Sequence, residues 1–197
     1  LPFSVLRDVR GLDQMGMSEL KLKIIRDLGY GRHGKIVSSY SERFWEKKFQ
    51  MMTGDIDSQW IWESSIAKNG PLSANHGLLT AQLAGHAGQE INTLLNTAMK
   101  NDLSRFGISA KKEEQTIAKS WALDQWTKGS VSFYKPAQML ISQNAVSASE
   151  MKGKIIFAGE HTSMGFMGTM NGAIESGLRA AFEAKKVQSE LTKKLFI

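Results

Sequence analysis

The 197-residue chain has no cysteine. That excludes disulfides, thiolate metal sites and cysteine nucleophiles, and it leaves cytosol and periplasm both open, with the cytoplasm the preferred reading. No apolar run approaches the roughly 18 residues that a spanning helix requires, and the residues from Leu1 onward lack the basic and apolar regions of a signal peptide. A soluble chain with no membrane partner is expected. The four histidines, His33, His76, His86 and His161, stand apart from one another and from other ligands, so no metal is expected. No serine and aspartate surround His161 in the pattern of a hydrolase. The net charge is +6, yet the basic residues are scattered. Lys111-Lys112, Lys185-Lys186 and Lys193-Lys194 carry no interleaved aromatics that could stack bases, which argues against a nucleic-acid partner. The terminal lysines suit the C-terminal end of a helix dipole.

What is present is a chain that is 42% hydrophobic, enough for one core or for two partial ones. Leu20, Ile24, Ile25 and Leu28 recur at helical spacing, which predicts a short helix over 17–28 stopped at Gly29. Lys35–Tyr40, Ser58–Glu63 and Leu78–Ala84 read as strands of a mostly antiparallel sheet, with a turn at Gly54-Asp55. Ile91, Leu94, Leu95, Ala98 and Leu103 predict a helix over 90–106. A further strand is expected over 117–123. A final helix is expected over about 172–195, burying Ala173, Ile174, Gly177, Leu178, Ala181 and Phe182.

The most informative stretch is Lys154-Ile-Ile-Phe-Ala-Gly-Glu-His-Thr-Ser163, followed by Gly168-Thr-Met-Asn-Gly-Ala-Ile-Glu-Ser-Gly-Leu-Arg-Ala-Ala181. It reads as strand, glycine turn and helix start, where small residues let a flat ligand approach the backbone and the helix N-terminus favours an anion. These segments closely resemble the C-terminal signature of the flavin-containing amine oxidase family. The likeness extends to Leu1-Pro-Phe-Ser-Val-Leu-Arg7, to the helix and Leu-Gly-Tyr-Gly turn over 21–31, to Gly34–Tyr40 with Phe44-Trp45, and to Trp121–Pro136. The family's opening Gly-x-Gly-x-x-Gly turn after a strand is missing, since Gly29–Gly34 matches it only by letter and follows a helical pattern. The expectation is therefore the C-terminal part of a larger or processed enzyme, its Rossmann segment absent, that pairs with an N-terminal FAD-binding segment of the same or another chain.

The resemblance implies an α/β plus α+β architecture, a mixed sheet with packed helices in the two-domain amine oxidase fold. Residues 1–27 and 121–197 would belong to the FAD-binding domain and 28–120 to the substrate domain. It further implies oxidation of an amine or amino acid to an imine, with O2 reduced to hydrogen peroxide. Without cysteine, FAD is expected to be held noncovalently. Lys35 takes the position of the family's flavin-facing lysine, the catalytic candidate. Gly159, Glu160, Gly168, Thr169, Met170, Ala173 and Trp121 are the cofactor-binding candidates, and Val131, Phe133 and Thr169 the substrate-pocket candidates. Glu160 can bond either a ribityl hydroxyl or a backbone N–H. Val131 and Thr169 stand where many members carry facing aromatics, which motivates an alternative: a noncatalytic remnant or subunit, recognisable by a large apolar patch where the missing half docks. Arg43 and Arg105 are the candidates for anchoring a substrate carboxylate.

Overall fold

The computed structural model describes residues 1–45, 47–65, 76–94, 97–111 and 113–195. Lys112 and Leu95, named above, lie outside the described residues, as do the side chains of Lys193 and Lys194. The helices are α1 (Phe3–Leu6), α2 (Glu19–Asp27), α3 (Gly85–Gln89), α4 (Ile91–Leu94), α5 (Ala98–Arg105), α6 (Gln138–Ser142) and α7 (Met170–Leu195). The strands are β1 (Gly29–Tyr30), β2 (Gly34–Tyr40), β3 (Met51–Thr53), β4 (Trp60–Glu63), β5 (Gly77–Leu83), β6 (Gln115–Ser120) and β7 (Ser132–Phe133). All described strand pairs are antiparallel, giving an α+β architecture. The chain divides into two compact units, Leu1–Gly31 with Gln125–Ile197, and Arg32–Asp124. Trp121 thus groups with the second unit.

The second unit is a five-stranded sheet in the order β3-β4-β5-β2-β6. Side chains alternate along strands, and β2 buries every second residue from Gly34 to Tyr40. Ile36, Ile61, Leu79, Ala81 and Leu83 cover one face and pack with Ile91, Met99 and Leu103 from the helices. Each such large side chain, fully buried, contributes about 1.5–3 kcal/mol. Asp102 on α5 is fully buried and accepts hydrogen bonds from the amides of Asp57 and Ser58, both at 2.8 Å, and from the Ser58 hydroxyl. This carboxylate orders the turn before β4. Instead of one helix over 90–106 there are, among the described residues, two short ones, α4 and α5, and the strand expected over 117–123 runs from Gln115 to Ser120 as the edge beside β2.

In the first unit, Ser18 caps α2 by accepting from the Lys21 amide at 3.2 Å. The helix departs from its expected face: Leu20 is exposed and Lys21 is buried. Burial is tolerated because the Lys21 ammonium donates to the Val146 and Ala148 carbonyls at 3.0 and 2.8 Å and lies 4.1 Å from the Phe157 ring centroid. Its stem meanwhile fills core space. Desolvation lowers its pKa to about 8. Phe3, Leu22, Ile24, Ile25, Leu28, Val146 and Phe157 form the surrounding core. The β-branched run 154–157 makes only an isolated bridge, Glu150 to Ile155. Among the described residues no strand lies alongside it to continue a ladder.

Candidate functional site

The glycine turn and the start of α7 form one fastened assembly in the first unit. Gly159 has φ +138°, and a Cβ there would sit 2.5 Å from the His161 ring, so glycine is required twice over. Its amide donates to Ser176 Oγ at 2.9 Å, tying the turn to α7. Gly172 presses against the Phe166 carbonyl, again with no room for a side chain. Glu160 accepts from the Ser132 amide at 3.1 Å, the Ser132 hydroxyl at 2.7 Å and the Gly168 amide at 2.7 Å. Of its two expected roles, the structure shows bonding to backbone N–H groups. One carboxylate thus joins β7, the turn and the approach to α7 through charge-assisted bonds.

Arg179 completes the clamp from within α7. It donates to the Phe157 carbonyl at 2.8 Å and to Thr162 Oγ1 at 2.9 Å, on either side of Gly159, and pairs with Glu183 at 2.8 Å. Ser163 donates to Glu175 at 2.5 Å and accepts from the Phe166 amide. His161 is buried against Phe3, ring centroids 4.3 Å apart, and desolvation lowers its pKa to about 4. It is a neutral packing imidazole near pH 7. None of these side-chain partners was anticipated, because their spacing in sequence bears no relation to their contact in space.

Thr169 caps α7: its hydroxyl donates to the Phe166 carbonyl at 2.7 Å and accepts from the Gly172 amide at 3.1 Å. The Met170 and Asn171 amides have no carbonyl four residues back inside the helix, and no acidic residue occupies the first turn. The donor set here is therefore backbone N–H with positive helix potential. Val131 lies against Gly168, and Phe133 covers Gly29.

The apolar face expected to be buried on α7 is instead exposed. Met170, Ile174, Leu178 and Phe182, spaced four apart, are 85, 64, 60 and 74% exposed. Ala173 and Gly177 are exposed as well, while Gly172 and Ser176 are buried and Arg179 and Glu183 half-buried. The inward face of this helix is small and polar because it serves the clamp. Periodicity alone located the stripe but assigned it to the wrong side.

The remaining candidates lie in the second unit. Lys35 is half-buried on β2, with its ammonium 5.4 Å from the Trp62 ring centroid and 5.9 Å from that of Trp121. Trp62 had not been singled out; its alternation with Trp60 on β4 was the available signal. Arg43 donates to the His76 carbonyl, and Arg105 is engaged by Asp55 and Asp57, so neither stands beside Lys35 in the sheet. Among the described residues no cluster of metal-ligating side chains occurs, and no helix is long and apolar enough to cross a membrane.

A sequence model of the family described as flavin containing amine oxidoreductase matches residues 1–184. The chain belongs to that family. Over 179 residues it is 27% identical to lysine-specific histone demethylase 2 of Homo sapiens, covering 84% of this chain and 21% of that protein. It is also 27% identical over 194 residues to the putative L-amino-acid oxidase YobN of Bacillus subtilis (strain 168), covering 95% and 40%. The chain spans only 21 to 40% of the length of such curated relatives. In fold it is similar to cyclohexylamine oxidase from Brevibacterium oxydans IH-35A, with a TM-score of 0.76 at 16% identity over 95% of this chain and 42% of that one.

Proposed function

We propose that the chain is the C-terminal portion of an FAD-dependent oxidase of amines or amino acids, with Leu1–Gly31 and Gln125–Ile197 contributing to the FAD-binding domain and Arg32–Asp124 forming the substrate domain. The observation that carries this reading is the Gly159 turn, fastened by Glu160 and Arg179 against the start of α7, whose first amides have no carbonyl four residues back inside the helix and whose first turn holds no acidic residue. Its donor chemistry fits an electron-rich ring or phosphate and its glycines leave space for close approach. Gly159, Gly168, Met170 and Ala173 would hold FAD noncovalently through backbone and surface contact, while Glu160 and Thr169 fix the backbone that does so. FAD, when bound, supplies the oxidation of the C–N bond to an imine and the passage of electrons to O2, with hydrogen peroxide as product. In the second unit Lys35 would polarise a water at its ammonium; in the first, Val131, Phe133 and Thr169 are the residues proposed to contact the amine.

The stripe Met170, Ile174, Leu178 and Phe182 supports a docking face for an N-terminal FAD-binding segment. The test is the visible spectrum of this chain alone and joined to a Gly-x-Gly-x-x-Gly segment of the family. Flavin bands and peroxide release only in the joined form are expected; turnover by the isolated chain contradicts the split assignment. Val131 and Thr169 favour a second reading, a noncatalytic subunit that pairs with a separate FAD-binding chain. Flavin bands in the joined form with no oxidation of any amine decide for it.

A further inference from the structure

The first unit holds a cavity that plays no part in the site above. It lies between α2 and the stretch 135–142 and measures about 300 Å³, enough for a small organic ligand. Leu20 and Ile24 wall it on one side and Pro136 and Ile141 on the other. Leu20, 40% exposed where its helical spacing predicted burial, borders this space. Both walls are held in place. The Lys21 ammonium ties α2 to the Val146 and Ala148 carbonyls beyond α6. The turn ahead of α6 is closed by the Lys135 amide donating to Gln138 Oε1 and the Gln138 amide donating to the Lys135 carbonyl, both at 3.0 Å. None of the residues that fasten the Gly159 turn lines the cavity.

Charge enters this apolar space from two sides. Lys23 and Asp27 stand one turn apart on α2, and Lys135 lies at the other wall. Residues four apart on a helix can pair with each other, yet no ion pair among the described residues includes Lys23, Asp27 or Lys135. Asp27 is half-buried in the last turn of α2, where the helix potential is already negative. A cation beside it would offset both. Ser142, 3% exposed, also lines the cavity, and its hydroxyl bonds to no other described group. A simple amine here would meet two lysines, and a simple carboxylate would meet Asp27. A molecule with both charges on neighbouring atoms finds a partner for each, and its hydrocarbon finds Leu20, Ile24 and Ile141.

We infer that this cavity is a second binding site, for an α-amino acid with an aliphatic side chain. Asp27 and the Ser142 hydroxyl take its ammonium, and Lys23 and Lys135 its carboxylate. The site lies wholly in the first unit and binds this ligand whether or not the protein turns over an amine.

Methyl NMR of the 197-residue chain tests it, with L-leucine as the probe and Ile24, Ile141 and Val131 assigned through single Ile→Val and Val→Ala variants. L-Leucine should shift the Ile24 and Ile141 resonances saturably. 4-Methylpentanoate, which lacks the ammonium, and 3-methylbutylamine, which lacks the carboxylate, should bind at least about tenfold more weakly. Asp27→Asn should weaken L-leucine about tenfold and remove its advantage over 4-methylpentanoate. Lys135→Gln, at an exposed site, should weaken it about threefold and narrow its advantage over 3-methylbutylamine. Unshifted Ile24 and Ile141 resonances, or equal binding of the three compounds, overturns the inference. Shifts confined to Val131 put the amino acid at the proposed substrate contacts and likewise overturn it, leaving the oxidase reading standing. Shifts at Ile24 and Ile141, with no amine oxidised by the flavin-loaded protein, overturn the oxidase reading while the cavity site stands.

Discussion

At the scale of single residues, the first unit depends on polar groups held inside it. His161 has its pKa lowered from 6.5 to about 4 by burial, so the unfolded chain takes up a proton more readily than the folded one. The stabilisation is complete above the unfolded pKa and is lost as pH falls from about 6.5 to 4, a loss of about 3 kcal/mol for a shift of this size. Urea midpoints measured across that range should fall, and His161→Phe should remove this part of the slope. Glu160→Gln keeps the shape and removes the charge that serves two amides and a hydroxyl. It should destabilise the chain by about 1–2 kcal/mol in urea denaturation. Gly159 and Glu160 were both legible in the sequence as a turn of special character. The acceptors and donors that fix them, Ser132, Ser176 and Arg179, were not, since all three are ordinary residue types at unremarkable spacing.

At the scale of elements, α7 carries the sharpest difference between pattern and packing. Its apolar residues at 170, 174, 178 and 182 look outward, and Arg179 looks inward to hold the backbone around the glycine turn. The two faces should therefore respond oppositely to substitution. Ile174→Ser and Phe182→Ser should change the urea stability of this chain by no more than about 0.5 kcal/mol, as exposed sites do, and should weaken its capture of an N-terminal FAD-binding segment. Arg179→Ala should cost about 3 kcal/mol, because it strands Glu183 and the groups it serves. The opposite ranking, with the stripe more costly than the arginine, places the stripe in this chain's own core. The same reversal occurs in miniature on α2, where Lys21 is buried and Leu20 exposed: a lysine whose ammonium finds two carbonyls can take a core position that hydropathy reserves for leucine.

At the scale of the whole molecule, the second unit is one continuous stretch, Arg32–Asp124, that in sequence interrupts the first. Gly34 pairs with Ser120 in the second unit, and Gly29 with Phe133 in the first. The second unit is therefore an insertion with adjoining ends, and it has its own apolar core around Ile36, Tyr40, Trp45 and Leu79. Residues 32–124 expressed alone should give strand-rich circular dichroism and a cooperative melt. A non-cooperative signal would show that this core needs the flanking chain.

Motif resemblance pointed to the family, while local patterns alone determined the turn at Gly159, the strands that run as β2, β4 and β5 and the existence of the last helix. The local patterns rest on short-range physics: alternation for a sheet buried on one face, glycine where a Cβ has no room, and helical spacing of apolar side chains. Only the tertiary structure decided which side of a patterned element faces inward, which carboxylate holds which amide, and that Lys35 lies between Trp62 and Trp121. Those are outcomes of competition among residues far apart in the chain. A stripe of isoleucine, leucine and phenylalanine is buried only if a surface is available to cover it, and in α7 the inward side was already claimed by an arginine with four acceptors to satisfy.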